Sequence, residues 1–358
     1  MNRTMERGDF LAGAGSRRAG LLEPSDFLFF FYLAAIVFLL VLFGGRGRAT
    51  LLHLGVHLGL LALALVVLTV YRRRPGRVSL FFRVWYIPIL YVFLFEEVGQ
   101  MIHLVRPALL DAWVLHFEVR LFGGYPTVWL QSLSGPWLTE IMSLFYMSYY
   151  GLIPILGLSL YFRRDWAVLN DFILATNATF FFCFLHYLLM PVGGPVFFIQ
   201  ALPFELVSLR GGPLTSFEQW LFFGGAVRGG AFPSSHVAVA VVVLCTAIRC
   251  GLSPPAFAVT VTGLAISTVY NGYHYGIDVI YGAVIGLVFF CLSPLLNDLW
   301  NRGLSVPGEP LVRGTHSRRG GLSLEVEAEA ESPTSGTGKR QEAPPSGGFD
   351  EVVAEDPF

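Results

Sequence analysis

The sequence predicts an all-α integral membrane protein with about eight transmembrane helices, and three observations carry that prediction. Hydrophobic residues make up 54% of the 358 residues and charged residues only 14%, a balance that water-soluble domains do not show. Apolar runs near bilayer length recur from Phe27 to about Leu296, each able to satisfy its own backbone as a helix in lipid. The basic residues flank these runs and form no stripe; with a formal net charge of -1 this excludes nucleic acid as a partner.

Taken in order, residues 1-26 form a polar leader carrying Arg3, Arg7, Arg17 and Arg18. The apolar run 27-43 lacks a small-residue cleavage site and reads as a retained signal anchor. Further spans are expected at 50-70, 80-97, 138-161, 171-191, 234-250, 254-271 and 277-297. An even number of spans puts both ends of the chain on one side. Eighteen of the 24 Lys+Arg lie in the leader, the 71-83 region, the 162-169 loop, Arg249 and the tail, whereas the alternate loops hold six. By the positive-inside rule the termini are expected to be cytoplasmic.

Two long loops fall on the opposite face, at 98-137 and 192-233, with amphipathic pieces such as "LLDAWVLHFEVRLFG". They are expected to lie at the interface and roof a site. After Trp300 the composition shifts to Gly, Pro, Ser and Glu, as in "EVEAEAESPTSGTGKRQEAPPSGG", so 298-358 is expected to be a disordered cytoplasmic tail. The four cysteines, Cys183, Cys245, Cys250 and Cys291, show no CxxC spacing, and neither a disulfide framework nor a zinc site is expected. Lys339 is the only lysine, a bias that suggests a GC-rich bacterial genome and hence a bacterial inner membrane.

Two motifs carry chemistry. "GGAFPSSHVA", Gly229 to Ala238, opens the sixth span, and "GYHYGID", Gly272 to Asp278, opens the eighth. The arginine count places both on the non-cytoplasmic face. In "HYGID" the carboxylate of Asp278 follows His274 by four residues, so it is expected to accept from one imidazole nitrogen and leave the other aimed at a substrate. An Asp at membrane depth costs about 2.5–3.5 kcal/mol, so a partner is expected, and His274 is the nearest. In "FPSSH", Pro233 fits a first helical turn, and the N–H groups around Ser234 and Ser235 form a phosphate cradle. His236 beside them supplies a second imidazole for proton donation.

Other polar residues have simpler readings. His103, His116 and His186 fit packing or interfacial roles. His53 and His57, one turn apart, form a metal or haem pair only if other ligands join them. Gly282 and Gly286 form a GxxxG pattern that fits close helix packing, and Glu96 and Glu97 read as interfacial caps or head-group contacts.

At its two histidine motifs the chain resembles the type 2 phosphatidic acid phosphatase superfamily of lipid phosphate phosphatases, which in one branch includes inositol phosphorylceramide and sphingomyelin synthases. Pro233, Ser234, Ser235 and His236 match its PSGH-like second motif, and Ser267, His274 and Asp278 its third, SRxxxxxHxxxD. The resemblance covers about 80-297 and implies a six-helix catalytic core, with the two spans of 27-79 as an addition. It also implies an extracytoplasmic site in which His274 attacks phosphorus, Asp278 orients it and His236 protonates the leaving alcohol.

The departures are informative. Thr268 replaces the third motif's Arg, and in "YLLMPVGGP" Tyr187 and Gly194 replace the Lys and Arg of the first motif. A cation clamp matters most for a doubly charged monoester, so its loss fits a phosphodiester donor. "MPVGGPVFF" is similar to the inositol phosphorylceramide synthase branch, and Arg228 or Arg210 is left as a substitute cation. The expected activity is therefore transfer of an inositol phosphate-like head group from a phospholipid donor to a lipid or polyol acceptor, with neither metal nor cofactor and a bell-shaped pH profile near neutrality. A lipid phosphate or isoprenyl diphosphate phosphatase with water as acceptor is the alternative, and a non-enzymatic lipid carrier on the same fold is the third reading. The sequence leaves the oligomeric state open.

Overall fold

The computed structural model describes residues 22–303, apart from 200, 201 and 226. The leader up to residue 21 and nearly all of the expected tail, from residue 304, lie outside the described residues. The regular structure is helical: α1 (Pro24–Phe43), α2 (Arg48–Arg73), α3 (Arg77–Gln100), α4 (Asp111–Phe122), α5 (Pro126–Gln131), α6 (Pro136–Arg163), α7 (Trp166–Leu189), α8 (Pro213–Gly225), α9 (Ser235–Cys250), α10 (Pro254–Tyr270) and α11 (Gly276–Gly303). Eight of these lie where spans were expected. Six, α1, α2, α3, α6, α7 and α11, are long and apolar enough to cross a membrane, while α9 and α10 are apolar but shorter, at 16 and 17 residues. At 1.5 Å per residue α9 reaches roughly 24 Å, less than the ~30 Å of bilayer hydrocarbon.

α7 is the hub. It is apolar around its whole circumference, and Phe172, Leu174, Cys183, Phe184 and Leu188 are all buried, the pattern of a helix enclosed by others. Around it pack α1, α3, α6, α9 and α11. α2 lies at the periphery, with most of its apolar side chains exposed as lipid would require.

The tightest packing joins α9 to α11. A Cβ at Gly282 would overlap the Ser234 carbonyl, and one at Gly286 the Ala238 carbonyl. The GxxxG pattern thus brings two backbones together, as small residues do in membranes where no hydrophobic drive operates between helices. That approach fixes the register of α9 on α11 and so sets "FPSSH" beside "HYGID".

At the bundle end opposite these motifs, Phe27 of α1 packs on Trp300 of α11, ring centroids 4.8 Å apart. There Arg83 pairs with Asp26 at 2.5 Å, and the Tyr86 hydroxyl donates to the same carboxylate at 2.7 Å. A buried charge needs such partners. Arg249 pairs with Asp171 at that same end, 2.8 Å.

Candidate active site

Three short segments meet at the other end. The 190–198 loop is joined to the approach to α9 by a bridge between Val192 and Gly229–Gly230, with Val192 N–H donating to the Gly229 carbonyl at 3.0 Å and Ala231 N–H to the Val192 carbonyl at 2.9 Å. Its Val196 N–H donates to the Gly272 carbonyl of the α10–α11 turn at 2.9 Å. Ser234 caps α9, its hydroxyl accepting from Val237 N–H at 3.4 Å, and its own N–H donates to the Asp278 carbonyl at 3.2 Å. Pro233 stands before this cap, which corrects its expected place in the first turn.

In the turn at 271–275 one acceptor serves two donors. The Thr268 carbonyl receives both the Tyr273 and His274 N–H groups, each at 3.1 Å. α11 then starts at Gly276, and Asp278, in its first turn, reaches back to accept the Tyr275 N–H at 2.8 Å, the carboxylate half of a capping box.

The two imidazoles are in contact. His274 Nε2 lies 3.4 Å from His236 Nδ1, His274 Nδ1 lies 2.8 Å from the Ala231 carbonyl, and His236 Nε2 lies 3.2 Å from the Tyr146 hydroxyl. A carbonyl only accepts, so His274 Nδ1 carries its proton and Nε2 its lone pair. His236 Nδ1–H then donates to that lone pair, and the Tyr146 hydroxyl donates to His236 Nε2. The proton arrangement of the whole chain follows from one backbone oxygen.

Asp278 does not play the part expected of it. Its Oδ2 is 3.6 Å from His274 Nδ1, beyond a hydrogen bond, and the Ala231 carbonyl takes the proton in its place. Its Oδ1 is buried and has no hydrogen-bond partner among the described residues. The reason is local: the i, i+4 argument assumes helix through both residues, but His274 lies in the turn before α11 begins. Burial pushes the His274 pKa down to about 4, the Ala231 hydrogen bond acting weakly the other way. The ring is neutral at neutral pH, with an acid transition well below the near-neutral one expected from sequence.

A cavity of about 200 Å³ opens beside the pair, lined by Ser235, His236, His274 and a wall of aromatic rings, with Glu96 as its charged residue. Among the described residues no lysine or arginine lines it. Ser234 is buried in its capping role. Arg228 is exposed, its guanidinium 5.5 Å from the ring centroid of Phe197, a cavity residue, and so stands at the rim. Arg210 is exposed and outside the lining. The structure thus brings His236, His274, Asp278 and Ser235 together and leaves Arg210 apart.

Where the first motif's cations would stand, the residues are structural. The buried Tyr187 hydroxyl donates to the Pro233 carbonyl at 3.1 Å. Gly194 has φ of 81°, and a Cβ there would overlap the Tyr273 carbonyl, so both backbone geometry and space exclude an arginine. Thr268 is fully buried, its hydroxyl donating to the Ala265 carbonyl at 2.8 Å.

Two carboxylates that sequence reasoning missed hold the segments in place. Asp111 of α4, fully buried, accepts from Gly193 N–H at 2.8 Å, Gly194 N–H at 2.9 Å and the Tyr275 hydroxyl at 2.9 Å. Glu118, two turns on, accepts from Ile277 N–H at 3.1 Å, and burial raises its pKa to about 7. Asp111, Val114, Leu115 and Glu118 form the buried stripe of α4. The signal was available: two acids seven residues apart on the apolar face of an amphipathic helix.

Away from the cavity, His53 Nδ1 lies 2.8 Å from Glu97 Oε1, and His57 Nδ1–H donates to the His53 carbonyl at 2.8 Å. Among the described residues no three His, Cys, Asp or Glu side chains are grouped to hold a metal ion. Glu96 and Glu97 therefore divide, one facing the cavity and the other paired to α2. His186 packs among the rings of Phe182, Phe232 and Tyr281.

A polytopic helical membrane protein with two histidines in contact at one end of its bundle is the class that fold and site define. A family model described as the PAP2 superfamily matches residues 112–292, just over half of the 358 residues, and the chain belongs to that superfamily. The match begins within α4 and leaves α3 outside it, a narrower stretch than the 80-297 expected. No curated protein and no solved structure matches the chain. Members of that superfamily are generally phosphatases and phosphotransferases.

Proposed function

We propose that the chain is a phosphotransferase that moves a phospho-head group from a phospholipid to a lipid or polyol hydroxyl through a phosphohistidine at His274. One observation carries this reading: His274 and His236, in contact through Nε2 and Nδ1 at 3.4 Å, together line a cavity that no cation among the described residues lines. In the first half-reaction His236 enters charged, having taken a second proton from water on its Nε2; His274 Nε2 attacks phosphorus, the bond to the diacylglycerol oxygen breaks, and that oxygen takes the proton of His236 Nδ1, leaving the ring neutral with its proton on Nε2. In the second, His236 Nδ1 takes the acceptor's proton, its oxygen bonds to phosphorus, and the bond to Nε2 breaks. Asp278 contributes by capping the turn that carries His274. The inositol phosphate-like head group rests on the resemblance of "MPVGGPVFF". The arginine distribution supports cytoplasmic termini, an extracytoplasmic site and a bacterial inner membrane setting.

Water as acceptor is the second reading, favoured by the position of Arg228 at the cavity rim. Purified protein in lipid bilayers, given labelled phosphatidylinositol and a hydroxyl acceptor, should exchange head groups, and His274→Ala should not. Absence of exchange with ready release of phosphate from phosphatidic acid, lost in Arg228→Ala, would replace transfer by hydrolysis.

A further inference from the structure

We infer that Tyr146 is a positioning residue for proton transfer by His236: its hydroxyl keeps the inner nitrogen of that imidazole hydrogen-bonded in whichever protonation state the ring holds. The inference rests on the phosphohistidine reading above. Tyr146 projects from α6, 2% exposed, with its hydroxyl 3.2 Å from His236 Nε2. Its ring is held among those of His236, Tyr273 and Phe222, at centroid distances of 5.3, 5.0 and 6.2 Å. The titratable groups facing the His236 ring are His274 from the 271–275 turn and Tyr146 and Tyr149 from α6. No carboxylate or guanidinium touches it among the described residues.

Each nitrogen of His236 therefore has a separate task. Nδ1 faces His274 and the phosphorus. Nε2 faces only Tyr146. In the resting chain Nε2 is a bare lone pair and Tyr146 donates to it. When the ring has taken a second proton from water on Nε2 and then gives its Nδ1 proton to the leaving oxygen, it is left neutral with a proton on Nε2, and that N–H needs an acceptor. A hydroxyl fills both roles by turning its hydrogen, whereas a carbonyl or an amide N–H would satisfy only one. Without it, the buried Nε2 is unpaired in either protonation state, and the charged ring loses the stronger bond.

Tyr146→Phe keeps the ring and removes the hydroxyl. In ¹⁵N-histidine-labelled protein in nanodiscs, with the His236 signals assigned by their loss in His236→Gln, the wild-type Nε2 should resonate as a hydrogen-bonded lone pair. In Tyr146→Phe it should move downfield to the position of a free one. Tyr149→Phe, whose hydroxyl makes no hydrogen bond to His236, should leave it in place. In head-group exchange the basic limb of kcat should move down by about one pH unit, as expected for losing a hydrogen bond to a charged ring, with donor KM changed less than about threefold. A free Nε2 in the wild type overturns the inference even if the variant fails to fold. An unmoved resonance and basic limb in the variant overturn it too, and a raised KM with unchanged kcat makes Tyr146 a substrate contact instead. If wild-type protein exchanges no head group, the phosphohistidine reading falls and the inference with it; if it exchanges normally, these results judge Tyr146 alone.

Discussion

Replacing Asp111 by alanine tests whether the site is held together from α4. The carboxylate is fully buried and accepts two backbone N–H groups and one phenol. Alanine leaves the Gly193 and Gly194 donors unpaired in a closed environment, at roughly 1–3 kcal/mol each. Counting only these two backbone donors near the middle of that range gives a total of about 3 kcal/mol. For a chain of 358 residues that corresponds to a fall in Tm of about 4 °C. Thermal unfolding of purified protein in detergent, followed by intrinsic fluorescence, measures it. Activity should fall alongside, because Gly193 lines the cavity and Tyr275 adjoins His274. Asp111→Asn should be intermediate, since one amide oxygen remains an acceptor while its NH₂ opposes a glycine N–H. A Tm for Asp111→Ala within 2 °C of wild type would show that the loops are held by other contacts and would refute the reasoning.

Two further outcomes follow from the packing and the electrostatics. Gly286→Val places a branched side chain against the Ala238 carbonyl and should separate α9 from α11, abolishing activity and lowering Tm by about 4 °C on the scale of overpacked helix contacts, whereas Val284→Ala, on an exposed face, should do neither; a wild-type Tm in Gly286→Val would show that the helices do not rely on this approach. Because burial holds the His274 pKa near 4, its lone pair persists as the pH falls until the ring protonates, so the acid limb of kcat/KM should lie near pH 4, and a limb at the ordinary histidine value of about 6.5 would show a more open site.

The helices were legible because each is an apolar run whose ends are marked by arginine, proline or glycine. Legible too was the meeting of His236 with His274, because counting spans and arginines put both motifs at one end. Gly282 and Gly286 were readable as a contact, though not which backbone they met. The partner of His274 was not readable. Spacing pointed to Asp278, but helix begins only at Gly276, and the nearer acceptor is a backbone oxygen that no side-chain pattern encodes. Tyr146 was hidden among the 14 tyrosines of the chain, since only the crossing of α6 over α9 selects it. Gly194 looked like a missing cation; the structure shows a position where the chain passes too close to Tyr273 for any side chain.

The contact between the two imidazoles has a bearing on selectivity. With 3.4 Å between their nitrogens, no phosphorus fits until the rings part, and parting them gives up a hydrogen bond of about 1 kcal/mol. That penalty is the same for every visitor. Orthophosphate, with little else to gain, meets it as a severalfold loss of occupancy, whereas a lipid offsets it by burying acyl and head-group surface against the aromatic wall. On the phosphohistidine reading proposed above, the empty protein thus keeps its nucleophile engaged, and tail-less phosphates have little means of releasing it.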